Sequence, residues 1–363
     1  MRKLEQITVR NFKSIRRQEL KLAQLNVFIG GNGSGKSNLV NVFHFLNRVA
    51  NGELQTYTGI AGGADNILHF GRKHSPVLGI KLEFASGTDA NGYSFELIPT
   101  EDDSFIFQEE FISYHDRLRY PGPYKVSLGS GHKETMLSKS KQNVANYVRT
   151  DLESYRIYHF HDTSPTARVK QTNALDDNRT LRSDASNLAA FLYRLQKTHP
   201  SHFTNIEDTI RQIAPFFESF QLEPSRLSSD KIKLEWKEKG SDTYFNAHAL
   251  SDGTLRFICL ATLLLQPELP SVVLLDEPEL GLHPSAITVL AALLESAAKR
   301  AQVLVATQSV TLVNQFTPED VWVTEREDGE SIFRHLVGAD LSAWLDGYAL
   351  GELWEKNVIG GRP

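Results

Sequence analysis

Three short stretches combine residue types and spacings that could do chemistry. The first is GGNGSGKS, residues 30–37. Its spacing is G-x-x-x-x-G-K-S, with an apolar strand before it and helical periodicity after it. Gly30, Gly33 and Gly35 let backbone N–H groups turn inward where Cβ atoms would clash, and the new helix points its positive end at the same spot. Together with Asn32 and Ser34 they read as a phosphate cradle. Lys36 is expected to reach the β- and γ-phosphates of ATP, and Ser37 to ligate Mg2+. Asn38 follows directly and joins the nucleotide-binding set.

The second stretch is SVVLLDE, residues 271–277. Consecutive large apolar residues ended by two acids suit a strand buried in a parallel sheet, and ligands of such sheets bind at the carboxyl ends of the strands. Asp276 is thereby placed beside Mg2+. Glu277 can accept a proton from a water lined up on the γ-phosphate, or orient that water. A further buried strand, 303–306, ends in Thr307-Gln308-Ser309, and Gln308 is the candidate that reaches the γ-phosphate. The third stretch is LSDGTLRF, residues 250–257, a polar turn running into an apolar helix. Ser251 offers a hydroxyl and Gly253 a bare N–H, both at a helix N-terminus that favours an anion.

The elements that must hold these residues can be read from periodicity. Residues 4–10 alternate as a half-exposed strand, and LKLAQLNVFI reads as one second strand ending at Gly30. VLGIKLEFA, YSFELIP and FIFQEEFI, within 77–112, read as strands joined by turns. YPGPYKVSLGSGHKETMLSKSK reads as a mobile surface loop, and RIYHFHDTSP as a strand and stop. SNLAAFLYRLQKTHP and HFTNIEDTIRQIAPFFESF read as amphipathic helices, the first capped by Asp184 or Ser186. KIKLEWKEKG and TYFNAHAL form a hairpin before the third stretch. Heptads and internal repeats are not seen.

Composition narrows the class. The 363 residues carry a net charge of −5 and one cysteine, Cys259, which reads as a structural thiol in a helix. No apolar run matches a membrane span, and the start has no apolar h-region, so a cytoplasmic protein without membrane contact is expected. Mild acidity argues against indiscriminate nucleic-acid binding. Residues 115–182 differ, with 12 Lys/Arg against 7 Asp/Glu. Most such runs are solvated surface; the sharper reading is a DNA phosphate contact through Arg168, Lys170, Arg179 and Arg182. His159 and His161 share a strand face, a pattern used by metal sites, but no third ligand stands at a recognisable spacing.

The order of parts resembles ABC-type ATPases: a P-loop, a long interruption, LSDGT, VVLLDEPELGLHP, then ATQS. The start ITVRNFKSI…LNVFIGGNGSGKSNLV is similar to the soluble branch around RecF, SMC proteins and overcoming-lysogenization-defect (OLD) ATPases. Lys13, in that start, is counted with the nucleotide-binding residues. The block HFHDTSP and the tail LGELWEKNVIGGRP resemble compact AAA-family ATPases, several of them linked to anti-phage defence.

The resemblance implies an α/β ABC-ATPase head: a P-loop core sheet, an antiparallel β lobe and a helical lobe carrying the signature. The single head would divide into 1–112 (core start and β lobe), 113–182 (basic insertion), 183–250 (helical lobe and hairpin), 251–337 (signature, Walker B and switch) and 338–363 (tail). It further implies that Ser251 and Gly253 complete the ATP site of a second copy, so that ATP binding makes a homodimer. His161 and Asp162 follow the RIYHF strand where this branch keeps a loop that senses Mg2+ and attacking water, so Asp162 is counted with Ser37 and Asp276 as a Mg2+ ligand, although Gln is usual at that place.

Two departures stand out. Asp252 and Thr254 replace a glycine and a Gln or Arg of the usual signature, with Arg256 a candidate partner for Asp252. Gln308 stands where the switch usually has His. Both argue against fast turnover and leave ATP-gated dimerisation intact. The expected function is an ATPase cycle acting on DNA or a protein effector, in anti-phage defence or DNA repair. The alternative is a slow ATP-gated scaffold or sensor that holds a partner nuclease or toxin. The 38 residues after Glu325 are too few for the Toprim nuclease of OLD proteins, so cutting is expected of another polypeptide.

Overall fold

The computed structural model describes residues 3–362. The chain opens with the hairpin β1 (Lys3–Phe12) and β2 (Ile15–Lys21), then β3 (Leu25–Ile29), α1 (Lys36–Ala50) and α2 (Leu54–Ile60). Strands β4 (Leu78–Ser86), β5 (Asp89–Pro99), β6 (Phe105–Asp116) and β7 (Tyr124–Gly129) follow, then α3 (Asn143–Glu153), β8 (Arg156–Tyr158) and the short β9 (Asn173–Ala174). Helices α4 (Leu188–Thr198) and α5 (Pro200–Ile213) lead to β10 (Phe217–Phe220), β11 (Lys231–Ile232), β12 (Glu235–Glu238) and β13 (Tyr244–Asn246). The last part runs α6 (Asp252–Leu265), β14 (Val272–Asp276), α7 (Pro284–Ala298), β15 (Gln302–Thr307), α8 (Val310–Val313), β16 (Val321–Glu327), β17 (Glu330–His335), α9 (Gly338–Leu345) and α10 (Leu350–Glu355).

Two six-stranded sheets dominate. The first, ordered β2-β1-β4-β5-β6-β7, is antiparallel throughout. The second, ordered β17-β16-β3-β15-β14-β8, is parallel except for β17. Its strands alternate between two cores, as a pleat with both faces buried requires. Val27, Val273, Leu275, Val303 and Val305 face the helical side, packed with α4 to α8 and α10. Phe28, Leu274, Leu304 and Ala306 face α1 and the antiparallel sheet. Helix α6 is buried nearly all round, and burial pushes the Cys259 thiol up to about 12, so it stays protonated. No helix among the described residues is long and apolar enough to cross a membrane.

Several elements depart from the sequence expectation. LKLAQLNVFI is not one strand. The Asn26 side chain bonds both the N–H and the carbonyl of Ala23, closing a turn, so β2 and β3 enter different sheets. The expected mobile loop contains β7, an exposed edge strand paired with β6. The second amphipathic helix stops at Ile213, ahead of Pro215, and FESF becomes β10. Asp184 holds the Ser186 N–H in a turn before α4, which starts at Leu188 without a side-chain cap.

Candidate functional site

Strand register brings the chemical residues to one edge. Ile29 pairs with Thr307, Ala306 with Asp276, and Leu275 with Tyr158. The carboxyl ends of β3, β15, β14 and β8 therefore open side by side, where parallel sheets bind ligands.

The loop after β3 is shaped by glycine. A Cβ on Gly30 would lie 2.3 Å from the Thr324 carbonyl, and one on Gly35, at φ +116°, would lie 1.9 Å from Ser331 Oγ. Helix α1 starts at Lys36 with no side chain capping it, and the buried Ser34 Oγ has no partner. An uncapped helix end and an unsatisfied hydroxyl inside a glycine loop fit a phosphate. Lys36 is buried and donates to the carbonyls of Gly30 at 2.5 Å and Gly31 at 3.1 Å. Burial lowers its pKa, while the charges of Glu277, Asp276 and Glu279 work the other way. Asn32, Gly33 and Ser37 are exposed.

Asn38 is engaged by the protein. Its amide donates to Ser14 Oγ at 2.6 Å, Ser14 and Ser331 share a 2.6 Å bond, and Ser331 donates to the Ser34 carbonyl at 2.7 Å. Because Ser331 spends its one proton on Ser34, Ser14 must be the donor to Ser331. This relay ties the P-loop to the β1–β2 turn and to β17. Lys13 sits in the same turn at φ +49°, with its N–H on Ile67 and its carbonyl on His69 Nδ1. Burial lowers its pKa.

The carboxylates follow at the neighbouring strand end. Glu277 adopts φ +43°, a conformation few non-glycine residues hold, and its N–H donates to the Ala306 carbonyl at 2.7 Å. Gln308 Nε2 donates to Glu277 Oε1. Thr307 Oγ1 donates at 2.5 Å to Glu279, whose carboxyl is pushed up by burial. Burial also pushes the Asp276 carboxyl up; His159, His161 and Lys36 pull it down, and Glu277 adds to the rise. A cation at this edge would relieve the same strain.

His161 is the residue after β8 that touches Asp276, donating from Nε2 to its carbonyl at 2.9 Å. The exposed Asp162 turns to its own loop. Its carboxylate accepts the Ser164 N–H at 3.1 Å, and hydrogen bonding from the Ser164 side chain first, then from that N–H, with a smaller pull from Lys170, holds it below the usual range. No group of three His, Cys, Asp or Glu side chains gathers a metal among the described residues.

The turn before α6 is exposed. Ser251 caps the helix, accepting from Thr254 N–H at 3.2 Å and sharing a 2.8 Å bond with Thr254 Oγ1. Gly253 is required by packing, since a Cβ there would lie 2.5 Å from the Gly281 carbonyl. Arg256 does not pair with Asp252. Its guanidinium is buried and donates to the carbonyls of Phe160 at 2.9 Å, His161 at 3.1 Å and Leu280. Asp252 instead meets Lys170, at 3.4 Å. Arg256 thus cross-braces the turn, the segment after β8 and the loop after Glu277.

The basic segment is compensated in part. Arg182 pairs with Asp177, Arg117 with Glu5 and Arg149 with Glu153, and Lys170 is held at Asp252; Arg168 and Arg179 are exposed. The tail is part of the fold and reaches the P-loop. Leu353 and Trp354 are fully buried, Ile359 nearly so, while Tyr348 stays exposed. Gly361 donates to Glu325 at 2.8 Å, and a Cβ on it would lie 3.7 Å from Gly30 Cα. A concavity of about 390 Å³ separates residues 31–34 from 324–326 and 361–362, and Arg326 donates across it to the Gly33 carbonyl at 3.3 Å. Spacing cannot reveal either Ser331 or Gly361 as neighbours of a loop some 300 residues earlier.

The fold recurs in solved structures. An Smc head bound to the C-winged helix domain of ScpA superposes with a TM-score of 0.62 at 17% identity, covering 93% of this chain and 99% of that one. An Smc head domain with an extended coiled coil, bound to the C-terminal domain of ScpA derived from Pyrococcus furiosus, gives 0.62 at 15% identity over 95% and 99%. No curated protein matches the sequence. The family model described as "AAA domain, putative AbiEii toxin, Type IV TA system" matches residues 25–314. The longest helices among the described residues, α1 and α7, have 15 residues each and form no arm. The chain therefore belongs to that AAA family, and it has the fold of the Smc ATPase heads, with no coiled-coil arm among the described residues.

Proposed function

We propose that the protein hydrolyses ATP with Mg2+, and that two copies close face to face around two nucleotides, each lending its Ser251 turn to the other's P-loop. The observation that carries the hydrolytic part is the contact of Gln308 with Glu277 at the strand edge shared with Lys36. Ser37 and Asp276 would hold Mg2+, which neutralises charge on the β- and γ-phosphates. The loop amides and Lys36 bind and orient the triphosphate. Glu277, steadied by Gln308, accepts a proton from the attacking water. The trans part is supported by the exposure of Ser251 and by its rigid mounting on a buried helix. A C2 pair sharing sites reciprocally follows from one such turn per copy.

Lys36→Ala is expected to weaken ATP binding about hundredfold or more, because a charge-assisted phosphate contact is lost from a buried loop. Titration of a fluorescent ATP analogue checks this; near-normal affinity would remove the loop from the site. The output of the cycle is a change of shape acting on a protein effector or on DNA in the cytoplasm. A protein effector is supported by the two Smc heads, which were solved bound to ScpA domains. The family description, with its toxin and Type IV TA system, suits a role in defence. Direct DNA contact would fall to the exposed Arg168 and Arg179. Neutralising both should lower the salt slope of DNA binding by about two; an unchanged slope excludes this face.

A further inference from the structure

The turn that is to meet a partner's triphosphate carries a carboxylate of its own. The Asp252 side chain is 67% exposed, one residue beyond Ser251. A bare negative charge there repels the anion it must face. Arg256, on the same helix, makes no direct contact with Asp252: its guanidinium donates to three backbone carbonyls, and its charge acts on the carboxylate only from a distance.

The cation comes from another part of the chain. Lys170 closes a one-turn 3-10 helix, Arg168–Lys170, between β8 and β9. Its neighbour Val169 and nearby Ala167 are buried in the helical-side core, which fixes the backbone of this turn. The Lys170 side chain is only 7% exposed, an uncommon state for lysine on a surface segment. Its ammonium donates to the Thr163 carbonyl at 2.5 Å and to Asp252 Oδ1 at 3.4 Å. The Thr163 bond aims the head group, and packing removes its freedom to wander. A pre-placed charge of this kind loses little entropy when it acts.

We infer that Lys170 is a positioning residue of the shared nucleotide site: it neutralises Asp252 and so keeps the Ser251 turn receptive to the triphosphate held by a second copy of this chain. The inference rests on the shared-site reading proposed above. It accounts for a signature turn that holds Asp in place of glycine, and it moves Lys170 from the DNA-contact set to the dimer face.

The test is a charge-rescue series in Glu277→Gln protein, read as the ATP-dependent dimer dissociation constant by sedimentation. Lys170→Met should raise that constant about tenfold or more, as an uncompensated like charge does at an interface. Adding Asp252→Asn should bring it back to within about threefold of the parent, because the two changes share one interaction. Lys170→Arg, which keeps the charge, should dimerise close to the parent. A lysine that only holds the Thr163 carbonyl would not be rescued by Asp252→Asn, and that result overturns the inference. So does an unaltered constant in the Lys170→Met protein. A parent that stays monomeric with ATP and Mg2+ fails earlier, and takes the shared site and this inference down together.

Discussion

Glu277→Gln should cut steady-state ATP hydrolysis by about 10²–10⁴, the range that a positioned general base contributes. The change is close to isosteric. An amide at residue 277 can still accept the Gln308 Nε2–H through its oxygen, but it cannot take a proton from water. The backbone at residue 277 is already held at φ +43° by the bond to Ala306, so the substitution adds no new demand on it. ATP binding depends on the loop after β3 and should persist. With hydrolysis stopped, the closed pair has no route back to the open state, and the protein should elute from size exclusion as a dimer with ATP and Mg2+. Elution only as a monomer would remove the main support for a shared site. The same assay separates fast from slow readings. Wild-type protein that turns over as slowly as the Glu277→Gln protein acts as an ATP-gated scaffold, and Glu277 is then not its base.

How much of this was legible depends on how local the determinants are. The P-loop and the Asp276–Glu277 pair are written in consecutive residues, because strand, turn and helix start are adjacent along the chain. The parallel core sheet was legible for a related reason, since strands apolar on both faces have no other home. The break between β2 and β3 was not. Apolar residues keep recurring through it, broken only by single polar residues at Lys21, Gln24 and Asn26, and only the reach of Asn26 back to Ala23 shows the turn. β7 was masked by its exposure, which leaves no buried face to set a period. In the site, the sequence offered Arg256 as a candidate partner of Asp252. The structure assigns Lys170 instead, 82 residues earlier, and gives Arg256 to carbonyls of two other loops. The relay from Asn38 through Ser14 and Ser331 to Ser34 lay equally out of reach, since serine spacing carries no signal over such separations.

Ser251→Arg gives the sharpest test of the trans arrangement, because it can be combined with Glu277→Gln. Arginine at the exposed mouth of α6 removes the hydroxyl and places a long side chain where a second copy must approach. Loss of the cap on Thr254 costs about 1 kcal/mol, which a helix buried from Leu255 to Leu264 should tolerate without unfolding. Alone, Ser251→Arg protein should neither dimerise with ATP nor hydrolyse it at more than about one hundredth of the wild-type rate, the scale of losing a preorganised contact to transition-state charge. Alone, Glu277→Gln protein is inactive for the reason given above. Mixed before ATP is added, the two can form a pair in which one site joins an intact P-loop and Glu277 from the first copy to an intact Ser251 turn from the second. The other site carries both defects. Hydrolysis should therefore reappear on mixing, with a dependence on total protein that reports association. If the Ser251 turn served its own P-loop, each copy would keep its defect and the mixture would be as inactive as its parts. Recovery is thus expected only when half of each pocket comes from another molecule.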